Sequence, residues 1–188
     1  MNDPLVSATA VTCRFGGLIA LDNVDLAVRA DTIHGLIGPN GAGKTTLLNL
    51  IAGVHTASAG SLCFAGADIA RWPAARRAHA GIRRTFQNLK LFRDMSALDN
   101  VAVGMHAQTR GGLYAALVRG TRHRREEAHI MERAQEALAF VGLAAHGHAR
   151  AATLAYGHRR LLEIARAIVA RPALLLLDEP AAGLNRTE

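Results

Sequence analysis

The sequence predicts an α/β fold, a mostly parallel core sheet packed between helices, on three observations. A short apolar run at Ile33–Ile37 stops at a glycine-rich turn that opens onto a helical pattern. A second run, Ala173–Leu177, is hydrophobic on both faces, as a parallel strand buried between helices must be. Between them, from about residue 85 to 160, the texture becomes Ala-, Arg- and Glu-rich with helical spacing, which reads as a helical insertion.

Composition narrows the class further. The 188 residues are half hydrophobic and 20% charged, enough for one globular domain with a real core. No apolar run approaches the roughly 18–20 residues of a membrane helix. The start, Met1 to Pro4, lacks the basic and apolar regions of a signal peptide. Two cysteines, Cys13 and Cys63, are too few for a disulfide scaffold, so a reducing cytosol is expected. A formal net charge of +7 raises nucleic-acid binding as a reading. Against it, aromatic residues make up only 4% of the chain and leave few stacking platforms. Only Lys44 and Lys90 are lysines and the remaining cations are arginines among many alanines, which reads as codon bias and not as a designed phosphate surface, so no nucleic-acid partner is expected.

The elements follow in order. Val24, Leu26 and Val28 alternate with Asp25, Ala27 and Arg29, the period of a half-buried strand. Ile33–Ile37 is expected to be a buried strand ending at Gly38. From Lys44, the residues Leu47, Leu48, Leu50 and Ile51 make one helical face, and Gly53 stands where a C-cap would. Ser61–Phe64 reads as a strand running into a turn at Gly66, and Trp72, ahead of Pro73, is expected to pack locally. Ala128–Val141 places Ile130, Ala134, Ala137, Leu138 and Val141 on one side of a helix. A further amphipathic helix spans Arg160–Ala170 and ends at Arg171-Pro172.

Two segments carry chemistry. Gly38, Pro39, Asn40, Gly41, Ala42, Gly43, Lys44 and Thr45 fit the pattern G-x-x-x-x-G-K-[ST], with Thr46 following. The glycines let the backbone curl until successive N–H groups point at one phosphate, and the helix starting near Lys44 aims its positive end at the same place. Lys44 is expected to reach the β- and γ-phosphates and the Thr45 hydroxyl to ligate Mg²⁺. Downstream, four leucines lead into Asp178 and Glu179, placing both carboxylates at the C-terminal end of a strand, where open α/β sheets bind ligands. Asp178 is suited to the Mg²⁺ shell and Glu179 to polarising a water for attack on the γ-phosphate.

With both segments in place, the chain resembles the ATP-binding cassette (ABC) ATPases along essentially its whole length. Leu154, Ala155, Tyr156, Gly157 and His158 resemble the family's signature loop, Thr85-Phe86-Gln87 its Q-loop, and Ala182–Asn185 its D-loop. Phe15, within Arg14–Gly17, looks like the aromatic that stacks on adenine. The wording of Arg84–Arg93, Leu154–Gly157 and Glu179–Asn185 is similar to the ATPases of branched-chain amino acid importers. The resemblance implies a P-loop NTPase core with an antiparallel β subdomain over 1–84 and 160–188, and a helical subdomain over 85–159. It implies ATP and Mg²⁺ as cofactors, Gln87 as a further metal- and water-sensing ligand, and Glu179 as the catalytic base. It also implies a second, homologous ATPase subunit whose P-loop faces this signature, transmembrane permease subunits, and indirect work with a periplasmic binding protein. The location implied is peripheral, on the cytoplasmic face of the bacterial inner membrane.

Two departures qualify the picture. His158 stands where the family's glutamine usually closes the signature. The nine histidines all precede the D-loop, so none matches the family's switch histidine, and a C-terminal truncation lacking the final strands is expected. A non-catalytic fragment that binds nucleotide or a partner is therefore one rival. A soluble ABC protein acting on nucleic acid or the ribosome is another, though it would normally carry tandem cassettes or a long insertion. Leu89–Val101, mixing Leu91, Phe92 and Met95 with Arg93 and Asp94, falls where the family grips its permease. The basic run Arg119–Arg125 reads as a solvated helix start, and His146 with His148 has no carboxylate or cysteine nearby to complete a metal site.

Overall fold

The computed structural model describes residues 3–85, 89–105 and 121–180, and the chain divides into two units, Met1–Ile82 and Arg83–Glu188. In the first unit, β1 (Val6–Phe15) and β2 (Leu18–Val28) form an antiparallel hairpin that closes through Gly16 and Gly17. Gly16 takes a left-handed φ of 58°, which a tight hairpin turn needs. β3 (Ala59–Phe64) pairs on the other edge of β1, and β4 (Ala67–Asp68) follows, giving the order β2-β1-β3-β4. Inward residues of β1 are Val6, Ala8, Val11 and Cys13, so the two-residue period slips by one between Ala8 and Val11. A bulge absorbs the slip, with Ala10 at φ 51° and its N–H donating to Asp25 Oδ1 at 2.7 Å.

The first helix, α1 (Lys44–Ala52), buries Leu47, Leu50 and Ile51, and Gly53 caps it at φ 78° as its position in the sequence suggested. The short α2 (Ala74–His79) buries Arg77. Along β2, Val24, Leu26 and Val28 are half-buried while Asp25 and Ala27 are exposed. Ile33–Ile37 departs from expectation: it forms no strand, and Ile33 and Ile37 are 104% and 95% exposed. An apolar run becomes a strand only where a neighbour pairs its N–H and C=O groups, and no described strand pairs with this one.

The second unit holds a two-stranded sheet of β5 (Ile82–Arg84), which starts on the last residue of the first unit, and β6 (Leu174–Leu176). Of the expected core sheet, this pair is what the described residues of the unit form. β6 is shorter than the predicted Ala173–Leu177, and Leu177 is 39% exposed, because a strand with one described neighbour is covered less than a central one. α3 (Ala97–Val103), α4 (Thr121–Phe140) and α5 (Tyr156–Ile168) enclose a core that includes Leu98, Val101, Leu138, Leu143, Leu154, Leu162 and Val169. The Ser96 hydroxyl caps α3 by accepting from the Asp99 N–H at 3.0 Å. The Asn100 side chain, fully buried, donates to Phe92 O and Ser96 O at 2.9 Å each and accepts from the Phe92 N–H at 2.9 Å. It pins the loop in which Phe92 is 50% exposed.

Both long helices start earlier than predicted. α4 begins at Thr121, because Thr121–Glu127 is polar and helix-compatible but carries no apolar stripe for periodicity to detect. α5 begins at Tyr156, inside the signature residues, with Ala155 extended at its N-cap. Among the described residues, no helix is long and apolar enough to cross a membrane.

Candidate nucleotide site

The phosphate loop is held by contacts within the first unit. Gly43, the N-cap of α1, has φ 82°, and a Cβ there would lie 2.6 Å from Ala20 O and 2.6 Å from Leu21 Cδ2. Only glycine fits that point, and the close approach seats the start of α1 on β2. The turn closes by the Ala42 N–H donating to Pro39 O at 3.2 Å. Lys44 folds its ammonium back over the loop, donating to Gly38 O at 2.7 Å and Pro39 O at 2.8 Å. Both bonds are exposed, so an anionic ligand exchanges for them at little cost. Pro39, Asn40 and Gly41 lie exposed, Thr45 is exposed, and Thr46 is half-buried. Phe15 is 44% exposed and meets His55 edge-on at 5.1 Å between ring centroids. Trp72 packs locally, as expected, beneath the Arg76 guanidinium at 4.0 Å.

The carboxylate end is built from residues of the second unit. Asp178 is buried and its Oδ2 accepts from Arg84 Nη2 at 3.0 Å, both side chains being 7% exposed. Thr85, 1% exposed, donates its N–H to Leu176 O at 3.0 Å and its hydroxyl accepts from the Asp178 N–H at 3.4 Å. Glu179 is exposed, with a left-handed φ of 47°. Gln87 and the Ala182–Asn185 segment lie outside the described residues.

In the signature segment, Leu154 is buried at the end of a 3₁₀ turn, and Tyr156, Gly157 and His158 form the first turn of α5. His158 packs edge-on against His146 at 4.7 Å between centroids, and Arg159 lies over the Tyr156 ring at 5.9 Å. One turn further on, the Arg160 side chain runs inward beside Glu163. Sequence reasoning missed four residues here: Arg84, Thr85 in its bond to Asp178, Arg160 and Glu163. Arg84 and Thr85 carry no local signal of this role, and Arg160 with Glu163 reads in the sequence as an ordinary charged pair three residues apart. Glu163 also partly offsets the burial that pulls the Arg166 guanidinium below its ordinary value.

A family model described as ABC transporter matches residues 21–182. The chain belongs to the ABC transporter family. It is 42% identical over 188 residues to LivG, the high-affinity branched-chain amino acid transport ATP-binding protein of Escherichia coli K12, covering all of this chain and 74% of that one. The same figures hold for BraF of Pseudomonas aeruginosa. Among solved structures, MJ1267, an ATP-binding cassette of an ABC transporter, superposes with a TM-score of 0.81 at 32% identity, over 98% of this chain and 72% of that chain. The structure of a nucleotide-free ATP-binding cassette gives 0.79 at 32% identity, over 96% and 70%. The ABC ATPase fold read from the sequence is thus the fold of its neighbours, and the chain is an ATPase of that family, which binds and hydrolyses ATP.

Proposed function

We propose that this chain is the ATP-hydrolysing subunit of a bacterial importer for branched-chain amino acids. The observation that carries the reading is the loop Gly38–Thr46, seated by Gly43 on β2 and opening onto the exposed start of α1. The substrate class comes from LivG and BraF, each 42% identical over 188 residues. In this reading, the loop amides and Lys44 neutralise the phosphates, while Phe15 stacks on the adenine. Glu179 takes the proton of the attacking water. Thr45, Gln87 and Asp178 offer hydroxyl, amide and carboxylate oxygens, the hard donors that suit Mg²⁺, and these residues would hold it. When bound, the ion neutralises charge building on the phosphate oxygens. The subunit pairs with a second, homologous ATPase, whose P-loop meets Leu154–His158. It docks on transmembrane permease subunits at the cytoplasmic face of the inner membrane, with the exposed Phe92 and Arg93 among the contacts. Residues 1–84 and 160–188 form the nucleotide-binding core and 85–159 the helical subdomain.

Titration calorimetry with ATP tests the reading. Lys44→Ala removes the loop's one flexible cation and is expected to lower ATP affinity by at least about 100-fold, the loss of two charge-assisted bonds. Equal affinity in the variant and the parent would refute the site.

A further inference from the structure

We propose that Arg160, anchored by Glu163, is a positioning residue that sets the backbone of Glu179 and ties it to the helix bearing the signature residues; this rests on the reading of Glu179 as the catalytic carboxylate. The geometry is specific. Arg160 is 1% exposed, and its Nη2 donates to Asp178 O at 2.6 Å and to Glu179 O at 2.9 Å. Those carbonyls belong to the two peptide planes on either side of the Glu179 Cα. A planar guanidinium that grips both planes fixes the φ and ψ between them, and with these the direction of the Cα–Cβ bond. Glu179 needs such a grip, since its φ of 47° is a conformation that residues other than glycine hold only when surroundings over-determine it. Its side chain stays exposed, free to meet solvent, while its backbone is held.

Glu163 makes the arrangement sustainable. Its Oε2 accepts from Arg160 Nη1 at 2.8 Å, and it is 2% exposed. A buried guanidinium needs a buried counter-charge, and this one sits one helical turn along α5 on the same face. The carboxylate therefore fixes the guanidinium edge-on and leaves Nη2 for the turn. Because Tyr156, Gly157 and His158 begin the same helix, a displacement of the signature end of α5 is delivered by Arg160 to the Glu179 turn of the same chain.

The test compares Arg160→Met, Arg160→Lys and Glu163→Gln with the parent. Amide hydrogen exchange at Leu177, Asp178 and Glu179 is read without nucleotide, ATP affinity by calorimetry, and kcat and KM by phosphate release. Arg160→Met should speed exchange at those amides about tenfold or more and leave the α1 amides unchanged. Its kcat should fall about tenfold or more with ATP affinity within about twofold, the signature of a misdirected group and not of lost binding. Arg160→Lys, whose ammonium reaches one carbonyl, should recover part of both effects. If the methionine variant fails to fold, Glu163→Gln carries the same expectation at about threefold. Exchange unchanged within about twofold overturns the clamp. Faster exchange with kcat unchanged overturns its part in catalysis. Failure of the parent itself to bind ATP overturns the proposed function instead, and the exchange data still decide the clamp.

Discussion

Arg77→Met tests how the phosphate-loop helix is anchored. The guanidinium, 2% exposed, donates from Nε to Trp72 O at 3.0 Å and from Nη1 to Leu50 O and, at 3.1 Å, to Ile51 O. Nη2 donates to Ile69 O at 2.6 Å and Ala70 O at 3.3 Å. Leu50 and Ile51 lie in the last turn of α1, where carbonyls lack intrahelical partners and a cation is favoured by the dipole. Leu50 O keeps the Gly53 N–H at 3.2 Å, and Ile69 O keeps the Trp72 N–H at 2.9 Å. Methionine therefore strands chiefly Ile51 O and Trp72 O, at about 1–3 kcal/mol each. Burial already pulls this guanidinium below its ordinary value, against the opposing charge of Asp68, so its removal returns part of a desolvation cost. The net loss expected is about 2–4 kcal/mol, a large share of a typical 5–15 kcal/mol stability. Trp72, the chain's single tryptophan, lies in this unit and reports its unfolding by fluorescence. With a urea m-value of about 1–3 kcal/mol/M, the midpoint should fall by about 0.7 M or more. A shift below about 0.3 M, with unchanged slope, would show that the clamp contributes nothing net.

Gly43→Ala forces a side chain into a left-handed position with a Cβ 2.6 Å from Ala20 O, and should cost more than about 1 kcal/mol and weaken ATP binding at least tenfold; normal affinity and melting temperature would show that the loop relaxes freely. Burial pushes the Cys13 thiol up, so the stability it confers is full below the unfolded value of about 8.5 and is lost as pH rises through the folded value. Cys13→Ala should melt lower at pH 7 but lose less between pH 8 and 10 than the parent, and parallel curves would contradict this.

What the sequence made legible divides by the range of the interactions. The phosphate loop and its helix are local: glycine spacing, one lysine and the C-cap Gly53 all act within about fifteen residues, and each is where its pattern implied. β1 went unread because its bulge shifts Val11 and Cys13 out of phase with Val6 and Ala8, so that neither half is long enough to show alternation. Ile33–Ile37 was over-read for the complementary reason, since apolar content describes what a strand could bury and says nothing about which strand will pair with it.

Buried charges form the third class. Arg77 lies among Arg76 and His79 in a polar helix and reads as surface; Arg160 and Glu163 read as an ordinary exposed pair at helical spacing. Their burial depends on carbonyls elsewhere in the chain: Leu50 and Ile51 for Arg77, Asp178 and Glu179 for Arg160. A backbone carbonyl carries no side-chain signature, so an arginine destined for one looks in sequence like an arginine destined for water. Each guanidinium instead holds the end of an element that carries side chains of the proposed site, α1 behind Lys44 and the turn after β6 beneath Glu179. Arginine suits both places because its fork satisfies several carbonyls while staying charged, which a lysine ammonium does with fewer fixed directions.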